Sequence, residues 1–173
     1  MAEEQPLIAT EGKALNIPPH PDGQFAATCI DVIDIGMVER TYRGKRRAQH
    51  RIIIRFFCGE HFRDDEGQLR PLWVDAWFTL SLSQKSALRP FLEAWRGKRF
   101  NAEELQGFNV RTLVGVDAYL QLSHNATPSK TYCNIDSVMR LPKELQAPGV
   151  PEGYVRVELR PDHDEEDFEE APF

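Results

Sequence analysis

The run HRIIIRFF at residues 50–57 constrains this chain more than any other stretch. Three isoleucines and two phenylalanines interrupted only by Arg55 favour a β-strand. Side chains alternate across a strand, so His50, Ile52, Ile54 and Phe56 share one side, and Arg51, Ile53, Arg55 and Phe57 the other. The first set is apolar enough to face a core. The second is an arginine–aromatic face, which a simple half-buried strand does not need. A fold containing this strand must bury one side and give the other something to do.

The surrounding pattern supplies more strands. Residues 1–23 are polar and proline-bearing and read as a flexible N-terminal arm. Residues 25–39 (FAATCIDVIDIGMVE) read as a long strand, bent or bulged near Gly36. A turn around Gly44 leads into the 50–57 strand, and polar residues 63–70 form the next turn. In residues 72–80, Leu72, Val74, Ala76 and Phe78 point inward, while Trp73, Asp75 and Trp77 point outward. A helix then follows, capped by Ser83, with a stripe of Leu88, Phe91, Leu92 and Trp95. Pro90 predicts a kink or two short helices. Gly97 ends the element, and residues 101–104 (NAEE) open another short helix with a cap and an acidic first turn.

From Val116 a strand returns with Val116, Ala118, Leu120 and Leu122 on its inner face. Residues 124–130 form a loop, and residues 131–138 a fifth strand. Three strands, a helix and two strands is the order of an OB-fold, a five-stranded Greek-key barrel. The expected fold class is therefore mainly β, a five-stranded OB-fold-like barrel with one helical segment between strands three and four. Its parts are the arm (1–23), the barrel (24–142), a connecting segment (143–160) and a disordered acidic C-terminal tail (161–173).

Charge sharpens this division. The 173 residues carry 21 Lys and Arg against 27 Asp and Glu, a net of −6. That average speaks against a polyanionic ligand. However, residues 161–173 hold seven acids and no Lys or Arg, which leaves 20 acids against 21 bases on residues 1–160. The body is near neutral and the tail strongly acidic.

Within the body, residues 40–51 contain Arg40, Arg43, Lys45, Arg46, Arg47 and Arg51 and no acid. Tyr42 lies inside this run and Phe57 beyond it. Cations that track phosphates, interleaved with rings that stack on bases, are what a single-stranded nucleic-acid site requires. The same run also suits a hairpin tip kept soluble by charge. Candidate nucleic-acid contacts are Tyr42, Arg43, Lys45, Arg46, Arg47, Arg51, Arg55, Phe57, Trp73 and Trp77. Two outward tryptophans need a cover. A stacked base, a second apolar layer, a folded-back arm and a dimer interface all meet that need. The Arg96–Arg99 cluster complements a helix C-terminus instead.

Enzymatic readings find little support. The five histidines are scattered, and the CGEH at residues 58–61 has no partner pair for zinc. Asp64, Asp65 and Glu66 sit in a turn, and no phosphate-loop, dinucleotide or serine-elbow motif occurs. The expectation is a non-enzyme with no cofactor and no catalytic or metal residues. Cys29, Cys58 and Cys133 are odd in number and widely spaced, which points to a reducing, cytoplasmic setting. No apolar run approaches the roughly 18 residues of a membrane span, and the first residues lack the apolar stretch of a secretory signal.

The tail reads DHDEEDFEEAPF from residue 162 to 173. Such composition does not fold alone. Its rings and acids form a docking motif in which a ring fills a pocket and acids meet Arg or Lys. Asp167, Phe168, Glu169, Glu170, Pro172 and Phe173 are the candidate partner contacts. The same acids can lie over the basic face and compete with nucleic acid.

The EEAPF ending resembles the acidic, Pro-Phe-ending tips of bacterial single-stranded DNA-binding proteins and the acidic, Phe-ending tails of phage ones. The body is similar to small phage and prophage proteins in the stretches CIDVIDIGM (29–37), TLSLSQKSAL (79–88), EAWRG (93–97) and GFNVRTLVG (107–115). The similarity runs from about Gly23 to Pro142, plus the tip. It implies an OB barrel with a basic, aromatic groove and a tail that recruits replication and recombination or repair enzymes. The long Gly/Gln-rich linker of the bacterial form is missing, so its tetrameric assembly is not implied, although a homo-oligomer is compatible. The expected function is sequence-nonspecific binding and protection of single-stranded DNA during phage replication or recombination, in the host cytoplasm. The alternative is a non-enzymatic interaction or assembly module whose outward tryptophans form a protein interface.

Overall fold

A computed structural model describes residues 17–161 together with Phe168 and Glu170. Five antiparallel strands form one sheet: β1 (Gly23–Tyr42), β2 (Lys45–Arg63), β3 (Leu69–Thr79), β4 (Asp117–Ala126) and β5 (Thr131–Met139). Their spatial order is β3-β2-β1-β4-β5, with helix α1 (Leu88–Arg96) between β3 and β4 in the chain. The expected mainly β chain with five strands and one helical segment is therefore present.

The long first strand bends where the sequence suggests. Its register with β2 shifts between Cys29 and Asp31 and again between Asp34 and Gly36. Each shift inserts an extra residue, and at the second Gly36 takes a φ of 81°. The turn expected around Gly44 is a tight one. Tyr42 already pairs with Lys45, so only Arg43 and Gly44 form the loop. Both have positive φ, 50° and 75°, the geometry of a two-residue type I′ hairpin.

Alternation sorts the core as expected. Ile52, Ile54 and Phe56 of β2, Val74 and Phe78 of β3, and Ala118, Leu120 and Leu122 of β4 are buried together. Val116 is exposed and precedes β4, because the strand begins one residue later. Helix α1 closes this core with Leu88, Leu92 and Trp95; the Trp95 ring lies 5.2 Å from that of Phe56, and its Nε1 donates to the Asp117 carbonyl at 2.8 Å.

The helix corrects one expectation. It is neither kinked nor split, and Ser83 does not cap it. It starts at Leu88 after Ala87, so Pro90 falls in the first turn, where backbone N–H groups have no intrahelical partner. An earlier start would put the Pro90 ring against a helical carbonyl. Ser83 instead accepts from the Ser86 amide and hydroxyl, closing a separate turn. Gly97 ends α1 in the left-handed region at φ 74°, as expected. Asn101 and Glu104 form a reciprocal capping box (Glu104 N to Asn101 Oδ1 2.8 Å, Asn101 N to Glu104 Oε1 3.1 Å), although only a 3-10 turn, Glu104–Gln106, follows. The loop expected at 124–130 shortens to 127–130, since β4 continues to Ala126.

Residues 17–23 and the connecting segment are held against the domain. Residues 1–16 of the expected arm lie outside the described residues. His20 is buried edge-on to Phe25, and its carbonyl accepts from His124 Nε2 at 2.7 Å. After β5 the chain crosses to the outer face of β1, β2 and β3. There Gly149 N donates to Thr28 Oγ1 (3.0 Å), and the Tyr154 hydroxyl (2.7 Å) and Val157 amide (2.9 Å) both donate to Asp31 Oδ2. Val157 packs with Ile33 and Ile53 as a second apolar cluster. Burying one such side chain contributes about 1.5–3 kcal/mol. The connecting segment is thus a strap bound to the domain rather than a free linker.

Candidate nucleic-acid interface

The register of β1, β2 and β3 builds the candidate site row by row on the outer face. Phe57 pairs with Trp73, Arg55 lies between Asp31 and Asp75, Ile53 between Ile33 and Trp77, and Arg51 between Gly36 and Thr79. At Thr79 the third strand stops. Beyond it residues 37–50 continue as a two-stranded ribbon, with Arg40 opposite Arg47 and Tyr42 opposite Lys45 on the same face as Arg51. Most of the expected contacts thus share one stripe. Two do not: Arg43 occupies the turn, and Arg46 lies on the other face of the ribbon, 4.0 Å from Glu39.

Along this stripe the environment changes from dry to wet. At the sheet end Phe57 and Arg55 are each 4% exposed and Arg51 is 6% exposed. At the ribbon end Tyr42 is 69% exposed, and Arg43, Lys45, Arg46 and Arg47 are exposed with it. Arg40 opposite Arg47 is a like-charge pair directly across two strands, which weakens the ribbon unless an anion joins them. Arg40 was absent from the contacts expected from sequence; its place at the edge of the basic run hid its pairing with Arg47.

Arg55 serves the fold. Arg55 donates to both oxygens of Asp75 and to the Tyr154 hydroxyl (3.3 Å), and its guanidinium lies 4.3 Å from the Trp73 ring. Asp75 and Tyr154 favour its charged form enough to outweigh desolvation, so its pKa is raised. Trp73 packs edge-on to Tyr154 at 5.6 Å. Of the covers that could serve the outward tryptophans, the chain's own C-terminal strap is the one observed at Trp73. Trp77 stays half-buried beside Ile33 and Ile53.

Two tail residues reach this stripe. Phe168 packs against the Ile33, Ile53 and Val157 cluster, where Trp77 also packs, and its ring centre is 6.0 Å from the Arg55 guanidinium. The Glu170 carboxylate pairs with Arg51 and lies 3.9 Å from Arg40. The Arg51 guanidinium is in turn 6.0 Å from the Trp77 ring. The tail candidates Asp167, Glu169, Pro172 and Phe173 lie outside the described residues.

Other sequence candidates resolve simply. Asp64 accepts from the Glu66 and Gln68 amides and from Arg70, whose side-chain hydrogen bond leads in holding its carboxyl below the usual range. It works as a turn residue. Arg96 pairs with Glu104 and stacks on Phe100 at 4.6 Å. Among the described residues no group of three or more His, Cys, Asp or Glu is placed to hold a metal, and no helix is long and apolar enough to cross a membrane.

No protein-family model matches the chain, and no curated protein sequence does.

Proposed function

We propose that the chain is an OB-type barrel that binds single-stranded DNA without sequence specificity along the β1–β2–β3 outer stripe and its ribbon. One observation carries this reading: a carboxylate, that of Glu170, already sits on the stripe between Arg51 and Arg40. A backbone phosphate is an anionic acceptor that the same pair of guanidiniums can hold in its place. The strand order supports the barrel, since it leaves β3 and β5 as the two edges, and residues 75–78 and 134–136 of these strands face one cavity of about 440 Å³.

In this reading Arg40, Lys45, Arg47 and Arg51 hold the phosphates, and Tyr42 and Trp77 stack on bases. Arg55, Phe57 and Trp73 brace the sheet end of the stripe, where Tyr154 of the strap contacts Arg55 and Trp73. The acidic tail competes with DNA for the stripe and is released to recruit replication or recombination enzymes when DNA displaces it. Such a protein protects single-stranded DNA and needs neither cofactor nor catalytic residue.

Titrating a fluorescent oligothymidine at several salt concentrations tests the proposal. With about four phosphates neutralised, log affinity falls with log salt at a slope of roughly −3. Binding should also quench Trp77. Absent binding, or binding indifferent to salt, overturns the reading and favours the assembly-module alternative.

A further inference from the structure

At the C-terminal end of α1, away from the arginine stripe, a cavity of about 590 Å³ opens to solvent. Leu92 and Trp95 of α1 form its apolar floor, and Leu145, exposed on residues 140–145, contributes a wall. Three cations line it: Arg96, Arg140 and Lys143. Its carboxylate, Asp117, is engaged by the Thr28 hydroxyl at 3.1 Å. Arg96 gives one guanidinium nitrogen to Glu104, while its buried Nη1 has no hydrogen-bond partner. The volume is that of a ligand pocket, and an apolar floor ringed by cations suits an aromatic ring carried among carboxylates.

We infer that this cavity is a docking pocket for an acidic, aromatic peptide, and that its occupant is the 161–173 segment of a second copy of this chain. Charge complementarity selects the occupant: that segment carries seven acids, no Lys or Arg and two phenylalanines. Phe168 is engaged on the outer face of its own chain, and Phe173 is the other ring. Copies linked this way exchange tails in trans. The contact is head-to-tail, so it propagates unless the geometry closes a ring. The inference does not depend on DNA binding.

The test uses the full chain and a fluorescein-labelled peptide of residues 161–173. Anisotropy should show saturable binding that weakens tenfold or more in the Arg140→Glu/Lys143→Glu variant, and by a similar factor when the peptide carries Phe173→Ala. Sedimentation of the unlabelled chain should show concentration-dependent association that the same double variant removes at an unchanged melting temperature. Peptide binding unaffected by the double variant but lost in Arg40→Glu would place the peptide on the arginine stripe and overturn the pocket. Peptide capture by a chain that stays monomeric at every concentration overturns the second copy as occupant. If the double variant fails to fold, Leu145→Asp on the exposed wall provides the same readouts.

Discussion

Arg55 and Asp75 face each other across β2 and β3 as a two-pronged pair, Nε to Oδ1 at 2.8 Å and Nη2 to Oδ2 at 3.0 Å. That pairing separates structural arginines from available ones on a single strand. Arg55→Ala leaves the half-buried Asp75 carboxylate unpaired and should cost about 1–3 kcal/mol in urea unfolding. Arg40→Ala/Arg47→Ala should leave the unfolding midpoint unchanged or slightly raised, because two like charges directly opposite are removed. The salt slope of oligothymidine binding should flatten by about 1.4 for the two lost phosphate contacts. A double variant that binds as the parent does would remove the ribbon from the site.

Glu170 is the anion already on the stripe. Glu170→Gln should tighten oligothymidine binding, and deleting residues 162–173 should tighten it further, most clearly at low salt, where charge competition is strongest. Equal affinity for all three chains would argue against intramolecular competition.

Asp31 is fully buried and gathers the Tyr154 hydroxyl, the Val157 amide and Arg156. Asp31→Ala removes the acceptor shared by the strap and should destabilise the protein by about 3–5 kcal/mol. Limited proteolysis should then cleave first within residues 143–161. Cleavage elsewhere first would show that the strap is held mainly by Val157 and its apolar neighbours.

Arg43 stands in the left-handed region, φ 50°, at a turn position that favours Asn. Arg43→Asn should stabilise the hairpin by about 0.5–1 kcal/mol. If Arg43 contacts a phosphate, the same change weakens oligothymidine binding while raising the melting temperature. A variant with higher melting temperature and unaltered affinity would assign Arg43 to the turn alone.

Burial raises the thiols of Cys29 and Cys58 to about 12 and that of Cys133 to about 11. The folded state favours the neutral thiol, so this contribution is complete below the ordinary value of 9.0. It is lost as pH rises from there toward the folded-state values. Melting temperature should therefore decline between pH 9 and 11, with a smaller decline in Cys58→Ser. Iodoacetamide at pH 8.5 should label the native chain much more slowly than the urea-unfolded one.

Local signals were legible wherever short-range physics decides the outcome. Strand alternation sorted Ile52, Ile54 and Phe56 from Arg51, Ile53 and Arg55; Gly36 marked a bulge, Gly97 a helix end, and Asn101 with Glu104 a cap. These depend on backbone dihedrals and on neighbours a few residues away. Even the misplaced start of α1 is local, since Pro90 requires the first turn.

Parity along a strand determines which side a residue takes, but not what lies there. Whether Arg55 meets solvent depended on Asp75, 20 residues away, and on Tyr154, 99 residues away. Composition cast residues 143–160 as a connector. Only the folded sheet, with Asp31 buried and Ile33 beside Ile53, offers them an acceptor and an apolar seat. The arginine–aromatic face was thus set by the order of residues in β2. How much of it remains open to a ligand was decided by chain that returns about a hundred residues later, because burial is a property of what packs on a surface.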